Sequence, residues 1–155
     1  MLELDSVGLG DDGAALLSVE LTKNYSVRTL SLSHNGLSAT GARALATALK
    51  NNSGLELLSV AGNPVGDGGA ALFIGALNVN VTLTALDLSE CAIGLPGGRK
   101  LLSMLERQAH SDALSLVKLA SNEFNAVSGG DENTWVTLLL LLRPCQLTPS
   151  LLPSS

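Results

Sequence analysis

The sequence predicts a right-handed α/β solenoid of about five 28-residue strand–turn–helix units, with parallel strands on the concave side and helices on the convex side. The first observation behind this is a change of period. In residues 30–52, LSLSHNGLSATGARALATALKNN, apolar residues fall at every second position and then at every third or fourth, so a strand turns into a helix. The second is self-similarity. Leu2, Leu30, Leu58 and Leu86 stand 28 residues apart, and so do Gly13, Gly41, Gly69 and Gly97. The third is composition. The 155 residues are 46% hydrophobic and 15% charged, which suits one folded domain.

Each element follows from its column. Leu30 and Leu32 share one side of a short strand and enter the core, while Thr29, Ser31 and Ser33 point out. The pairs Leu2/Leu4, Leu58/Val60 and Leu86/Leu88 repeat this, and a fifth copy drifts to Val117, Leu119, Asn122 and Phe124. Its three extra residues fall between Leu105 and Leu114. Gly41 opens the helix of the second copy, and Ala42, Leu45 and Leu49 make its inward stripe. The matching stripes are Ala14/Leu17/Leu21, Ala70/Phe73/Leu77 and Gly98/Leu101/Leu105. Asp11 and Asp67 stand at the helix starts and are expected to be N-caps. Asn24, Asn52 and Asn80, three residues past the last inward Leu, are expected to be left-handed C-caps.

Each copy reads L-x-x-L-x-L-x-x-N-x-L, then a Gly-containing turn and an amphipathic helix. This resembles the leucine-rich repeat of the ribonuclease-inhibitor type, and residues 26–51 and 55–80 carry the resemblance best. It implies a short horseshoe arc over residues 1–142, with copies starting near 2, 30, 58, 86 and 117, and a Pro-, Leu- and Ser-rich tail over 143–155. It also implies a structural ladder of Asn35, Asn63, Cys91 and Asn122, whose side chains bond neighbouring backbone groups. Cysteine substitutes for asparagine in that family. Val7, in the same column of the first copy, cannot make the bonds.

Little in the chain points to chemistry. Nine Lys and Arg against 14 Asp and Glu give a net charge of −5, so no field draws in a phosphate backbone and no nucleic-acid partner is expected. Two Phe, one Tyr and one Trp leave nothing for base stacking. Cys91 and Cys145 read as free thiols in a reducing compartment. The acidic N-terminus MLELDSVGLG lacks the pattern of a leader. The uncharged run from Gly68 to Leu86 is long enough for a membrane span, but it repeats the helix–turn–strand register and is assigned to the solenoid. Asn24, Asn51 and Asn80 match the glycosylation pattern, and without a signal peptide they are not expected to be modified. The stretch GNPVGDGG at 62–69 lacks the lysine of a phosphate loop. His34 sits alone, and His110, Ser111 and Asp112 are sequence neighbours that cannot form a relay. No catalytic residue, metal ligand, cofactor or small-molecule substrate is expected.

Partner-binding surfaces are the remaining candidates. The strand face offers the row Glu3, Ser31, Ser59, Asp87, Lys118, flanked by small residues and without Tyr, Trp or Arg, which makes it a secondary choice. On the helix face the second and fourth copies carry charge, whereas the third places Ala71 and Gly75 outward, flanked by Leu72 and Ala76. Residues Trp135, Val136, Leu140 and Leu141 belong to a ten-residue helix that is apolar all round and ends at Arg143–Pro144. Both ends look uncapped. The expectation is a non-catalytic interaction or scaffold subunit of a larger eukaryotic assembly, cytoplasmic, such as a cytoskeletal or ciliary complex, or a fragment of a longer repeat protein. Similar repeats in the Ran GTPase-activating protein and in innate-immune receptors supply two alternatives, a small-GTPase regulator and a sensor fragment.

Overall fold

The computed structural model describes residues 1–108 and 114–123. Strand and helix alternate as β1 (Leu2–Glu3), α1 (Gly10–Lys23), β2 (Thr29–Ser31), α2 (Ala39–Leu49), β3 (Leu57–Ser59), α3 (Gly66–Leu77), β4 (Ala85–Asp87), α4 (Leu95–Gln108) and β5 (Leu116–Lys118). All neighbouring strands pair in parallel in the order β1-β2-β3-β4-β5. The register is one repeat length per strand, as in Leu2↔Leu30↔Leu58↔Leu86, and the last step, Leu86↔Val117, absorbs the three added residues. The helices stack in the same order on the other layer, α1 on α2, α2 on α3 and α3 on α4.

One core runs the length of the stack. Leu30, Leu32, Leu58, Val60, Leu86 and Leu88 enter it from the strands, and Leu45, Leu49, Phe73 and Leu101 from the helices. Each fully buried Leu contributes about 2 kcal/mol of apolar transfer, which is why the inward columns tolerate so little change. The chain leaves every strand through a left-handed residue: Ser6, His34, Gly62, Glu90 and Ser121, at φ of 56, 55, 67, 53 and 54°. Only one of the five is glycine, so tertiary bonding imposes this conformation against residue preference. Gly62 has a separate reason, because a Cβ there would collide with the His34 imidazole.

The helix ends differ from expectation. α2 begins at Ala39, two residues before Gly41, with Ser38 as its N-cap accepting a bond from the Thr40 N–H at 3.0 Å. Asp11 does not cap its own helix. It reaches into the next repeat, where Oδ1 accepts from the N–H groups of Ser38 (2.8 Å) and Gly41 (2.9 Å) and Oδ2 from the Ser38 hydroxyl (2.5 Å). Asp67, two repeats later, also reaches into the repeat that follows it, accepting from the Gly94 N–H at 2.8 Å. Side chains at Gly41 and Gly97 would collide with these carboxylates, whereas at Gly13 and Gly69 they would collide with Leu9 and Val65. The Ser38 hydroxyl and the two N–H groups hold the Asp11 carboxyl below its ordinary range, although burial opposes them.

Nor are Asn24, Asn52 and Asn80 left-handed caps. Asn24 is extended (φ −95°, ψ 118°), and neither Asn52 nor Asn80 is among the positive-φ residues. They build a second ladder. The Asn52 Nδ2 donates to the carbonyls of Leu21 (2.6 Å) and Asn24 (2.7 Å), and its Oδ1 accepts from Gly54 (3.0 Å) and Leu55 (2.7 Å). Asn80 repeats this with Leu49, Asn52, Thr82 and Leu83.

Candidate protein-binding surface

The strand-exit column fixes the surfaces on which a partner could rest. The Asn63 Oδ1 accepts from the N–H groups of Asn35 (2.8 Å) and Leu37 (3.0 Å), and its Nδ2 donates to Leu32 (2.9 Å) and Val60 (2.8 Å). Asn35 bonds Val7, Leu9 and Leu4 in the same way, and Asn122 bonds Cys91, Ile93 and Leu88. Cys91 stands in this column with a different chemistry. Its thiol donates to the Val60 carbonyl at 3.3 Å, and burial pushes its pKa up to about 12. The carbonyl oxygen that an Asn would offer is missing there. The Val65 N–H turns back to the Asn63 carbonyl at 2.7 Å, inside its own loop, where Pro64 replaces the left-handed Gly36 of the copy before.

On the strand face, Glu3, Ser31, Ser59, Asp87 and Lys118 lie in one row across the five strands. Their side chains hold one another. Asp5 accepts from the Ser31 hydroxyl (2.6 Å) and the Ser33 N–H (2.8 Å), and these bonds, the hydroxyl first, keep its carboxyl below the usual range. Ser33 and Ser59 are 3.1 Å apart, Lys118 pairs with Asp87 at 3.5 Å, and Arg28 pairs with Glu56 at 2.5 Å. Opposite charges thus meet across neighbouring strands, each exposed pair contributing under about 1 kcal/mol.

The helix face corrects one part of the expectation. Ala71 and Gly75 are half-exposed, and a side chain on Gly75 would meet open space. Ala71 lines a shallow groove with Ile74, Arg99, Lys100 and Ser103, between α3 and α4. Ala76 is fully buried and Leu72 packs against the core. By the repeat register these two stand where Ala44 and Ala48 line the seam with the preceding helix; Ala76 is closed to a partner by its burial, while Leu72 stays half-buried. Trp135, Val136, Leu140 and Leu141, like His110, Phe124 and Cys145, lie outside the described residues. Sequence reasoning passed over several exposed apolar side chains: Leu16 (74%), Val81 (76%), and Val19, Tyr25 and Val79. A helical wheel of residues 10–23 shows the first, since Leu16 lies off the Ala14/Leu17/Leu21 stripe.

Among the described residues, no helix is long and apolar enough to cross a membrane. No curated protein matches the chain in sequence. The family described as Leucine Rich repeat matches residues 23–46 and 79–102. A solved structure titled leiomodin-1 actin-binding site 2 superposes with a TM-score of 0.63 over 79% of this chain and 70% of that one, at 21% identity. The fold is that of a leucine-rich-repeat protein. At this identity the likeness speaks for architecture: an open parallel sheet on one face, helices on the other.

Proposed function

We propose that the chain is a non-catalytic protein-interaction or scaffold subunit of a larger eukaryotic assembly, with a cytoskeletal setting first and a ciliary one second. The observation that supports this is an accessible, uncharged outer face of α3, with Ala71 and Gly75 half-exposed and open space over Gly75, and opposite it the strand face. Its polar side chains are tied to one another across strands in a fixed row, which makes a preorganised surface for another protein. Residues 1–142 act as one binding unit, with 143–155 as a tail. The outer face of α3 at Ala71 and Gly75, together with Trp135, Val136, Leu140 and Leu141, is the main contact, and the row Glu3 to Lys118 is the secondary one. The likeness to an actin-binding domain makes actin the first partner to test.

Co-sedimentation of the full chain with actin filaments, and anisotropy with labelled monomeric actin, test that partner directly. Binding weakened by Ala71→Asp with Gly75→Asp, and little affected by Ser31→Asp with Ser59→Asp, supports the ranking of faces. The reverse order moves the contact to the strands. No binding to either form of actin removes actin from the proposal, and stimulation of GTP hydrolysis by a small GTPase would overturn the non-catalytic reading itself.

A further inference from the structure

Among the described residues the sheet has two edges, β1 and β5, and the edge of β1 presents acidic side chains. In each later repeat the outward-row residue and the residue two further on accept bonds from the preceding repeat: Ser31 and Ser33 from Leu4 and Ser6, Ser59 and Ala61 from Leu32 and His34, Lys118 and Ala120 from Leu88 and Glu90. Glu3 and Asp5 occupy these two positions in the first repeat, and among the described residues no strand lies beyond them. Their backbone groups face outward from the edge, ready for another strand. Behind the edge, Leu2, Leu4, Leu9 and Leu17 are only partly covered, and Leu16 is 74% exposed.

Charge selects among the possible occupants. Glu3, Asp5 and Glu20 are all exposed at this end. Arg28, the base that follows them in the strand region, is engaged by Glu56. Elsewhere the sheet sets opposite charges on adjacent strands, as in Asp87 with Lys118. A second copy joined edge to edge through a two-fold axis would bring Glu3 and Asp5 against the same acids, which disfavours self-pairing. A further close-packed helix is disfavoured as well, because Glu20 stands where Ala48 and Ala76 are buried in the later copies. We propose that the edge of β1 takes up an extended segment of a protein partner as a sixth strand, with basic residues beside Glu3 and Asp5 alternating with apolar residues over Leu2 and Leu4.

This rests on the protein-binding reading above and can fail without it. The probe is a blocked synthetic peptide of alternating lysine and valine, compared with its glutamate–valine counterpart and with a version carrying proline at its centre. Anisotropy with the full chain is expected to show binding of the lysine peptide alone, with slowed hydrogen exchange at the Glu3 and Asp5 amides. Glu3→Lys with Glu20→Lys is expected to weaken it at least tenfold, whereas Glu123→Lys, exposed at the opposite end of the sheet, changes it less than twofold. Asp5 is left intact because it supports Ser31 and Ser33. Equal binding of the proline peptide, unchanged exchange at residues 3 and 5, or no binding at all overturns the proposal. So does a dimer in sedimentation that Glu3→Lys dissolves, which would give the edge to a second copy. Actin binding by the face of α3 would stand in each of those cases.

Discussion

Two asparagine columns run through the stack with the same period, one where the chain leaves the strand and one where it leaves the helix. Asn63 and Asn52 have nearly the same surroundings: both are buried, at 0% and 3% exposure, and both bond backbone groups of their own repeat and of the repeat before. They differ in direction. The Asn63 carbonyl oxygen serves N–H groups of the preceding repeat, whereas the Asn52 oxygen closes its own turn and only its amide crosses the boundary. The strand-exit column therefore welds repeats through both ends of the amide, and the helix-exit column through one.

That difference is open to test, beginning with its strongest member. Asn63→Leu leaves the Asn35 and Leu37 N–H groups and the Leu32 carbonyl unpaired in the interior, while the Val60 carbonyl keeps the Cys91 thiol, and is expected to cost about 3 kcal/mol, read as a lowered denaturant midpoint. Asn52→Leu should cost somewhat less, about 2 kcal/mol, because the N–H groups it abandons belong to its own turn, which can readjust locally, and only its amide crosses to the repeat before. An order reversed in urea titrations would show that the helix exit is the stronger joint. Cys91→Ser should fall near or below about 1 kcal/mol, since the hydroxyl keeps a donor for the Val60 carbonyl. Native-state alkylation of Cys91 should be slow, with burial and the raised pKa both withholding the thiolate. The smallest change belongs to Asn24→Ala, within about 0.5 kcal/mol, because that residue is exposed.

A third joint is sensitive to acid. The folded-state pKa of Asp11 lies below its ordinary value of 3.8, so its stabilising share is fully present above that value and is lost as pH falls through the folded pKa. Asp11→Asn should flatten the acid side of the stability profile while leaving the neutral midpoint lower. A variant that melts with the same pH dependence as the parent between pH 5 and 2 would show that the carboxylate's contacts with Ser38 and Gly41 are not formed in solution.

The stack itself was legible because the 28-residue spacing appears in several independent columns, from Leu30 and Leu32 to Gly41. What a single repeat does with its neighbours was not. Asn52 and Asp11 were each placed correctly in their phase and given the wrong partner, since both residue types cap helices locally as readily as they bridge. The fixed interval from Asp11 to Gly41, repeated as Asp67 to Gly97, was the available sign. Ala76 was misjudged for a related reason. A helical wheel measures angles from one core, but an inner helix of a solenoid has neighbours on both flanks and needs apolar residues around most of its circumference. The lack of charge on α3 is thus partly architectural, which removes Ala76 from the original four and leaves Ala71, Gly75 and the half-buried Leu72 as candidates for a contact.

The substitution at Cys91 reaches beyond its own rung. Cooperative unfolding in a linear array depends on how firmly each unit is joined to the next, as in a one-dimensional chain of coupled spins. Asn35, Asn63 and Asn122 each join their repeat to the one before with several bonds, whereas at Cys91 one thiol replaces the amide and the Val65 N–H no longer crosses the boundary. The junction between the third and fourth repeats is accordingly where a partial opening would stop, dividing the molecule into a tightly coupled amino-terminal block and a carboxy-terminal block able to exchange its amides without it.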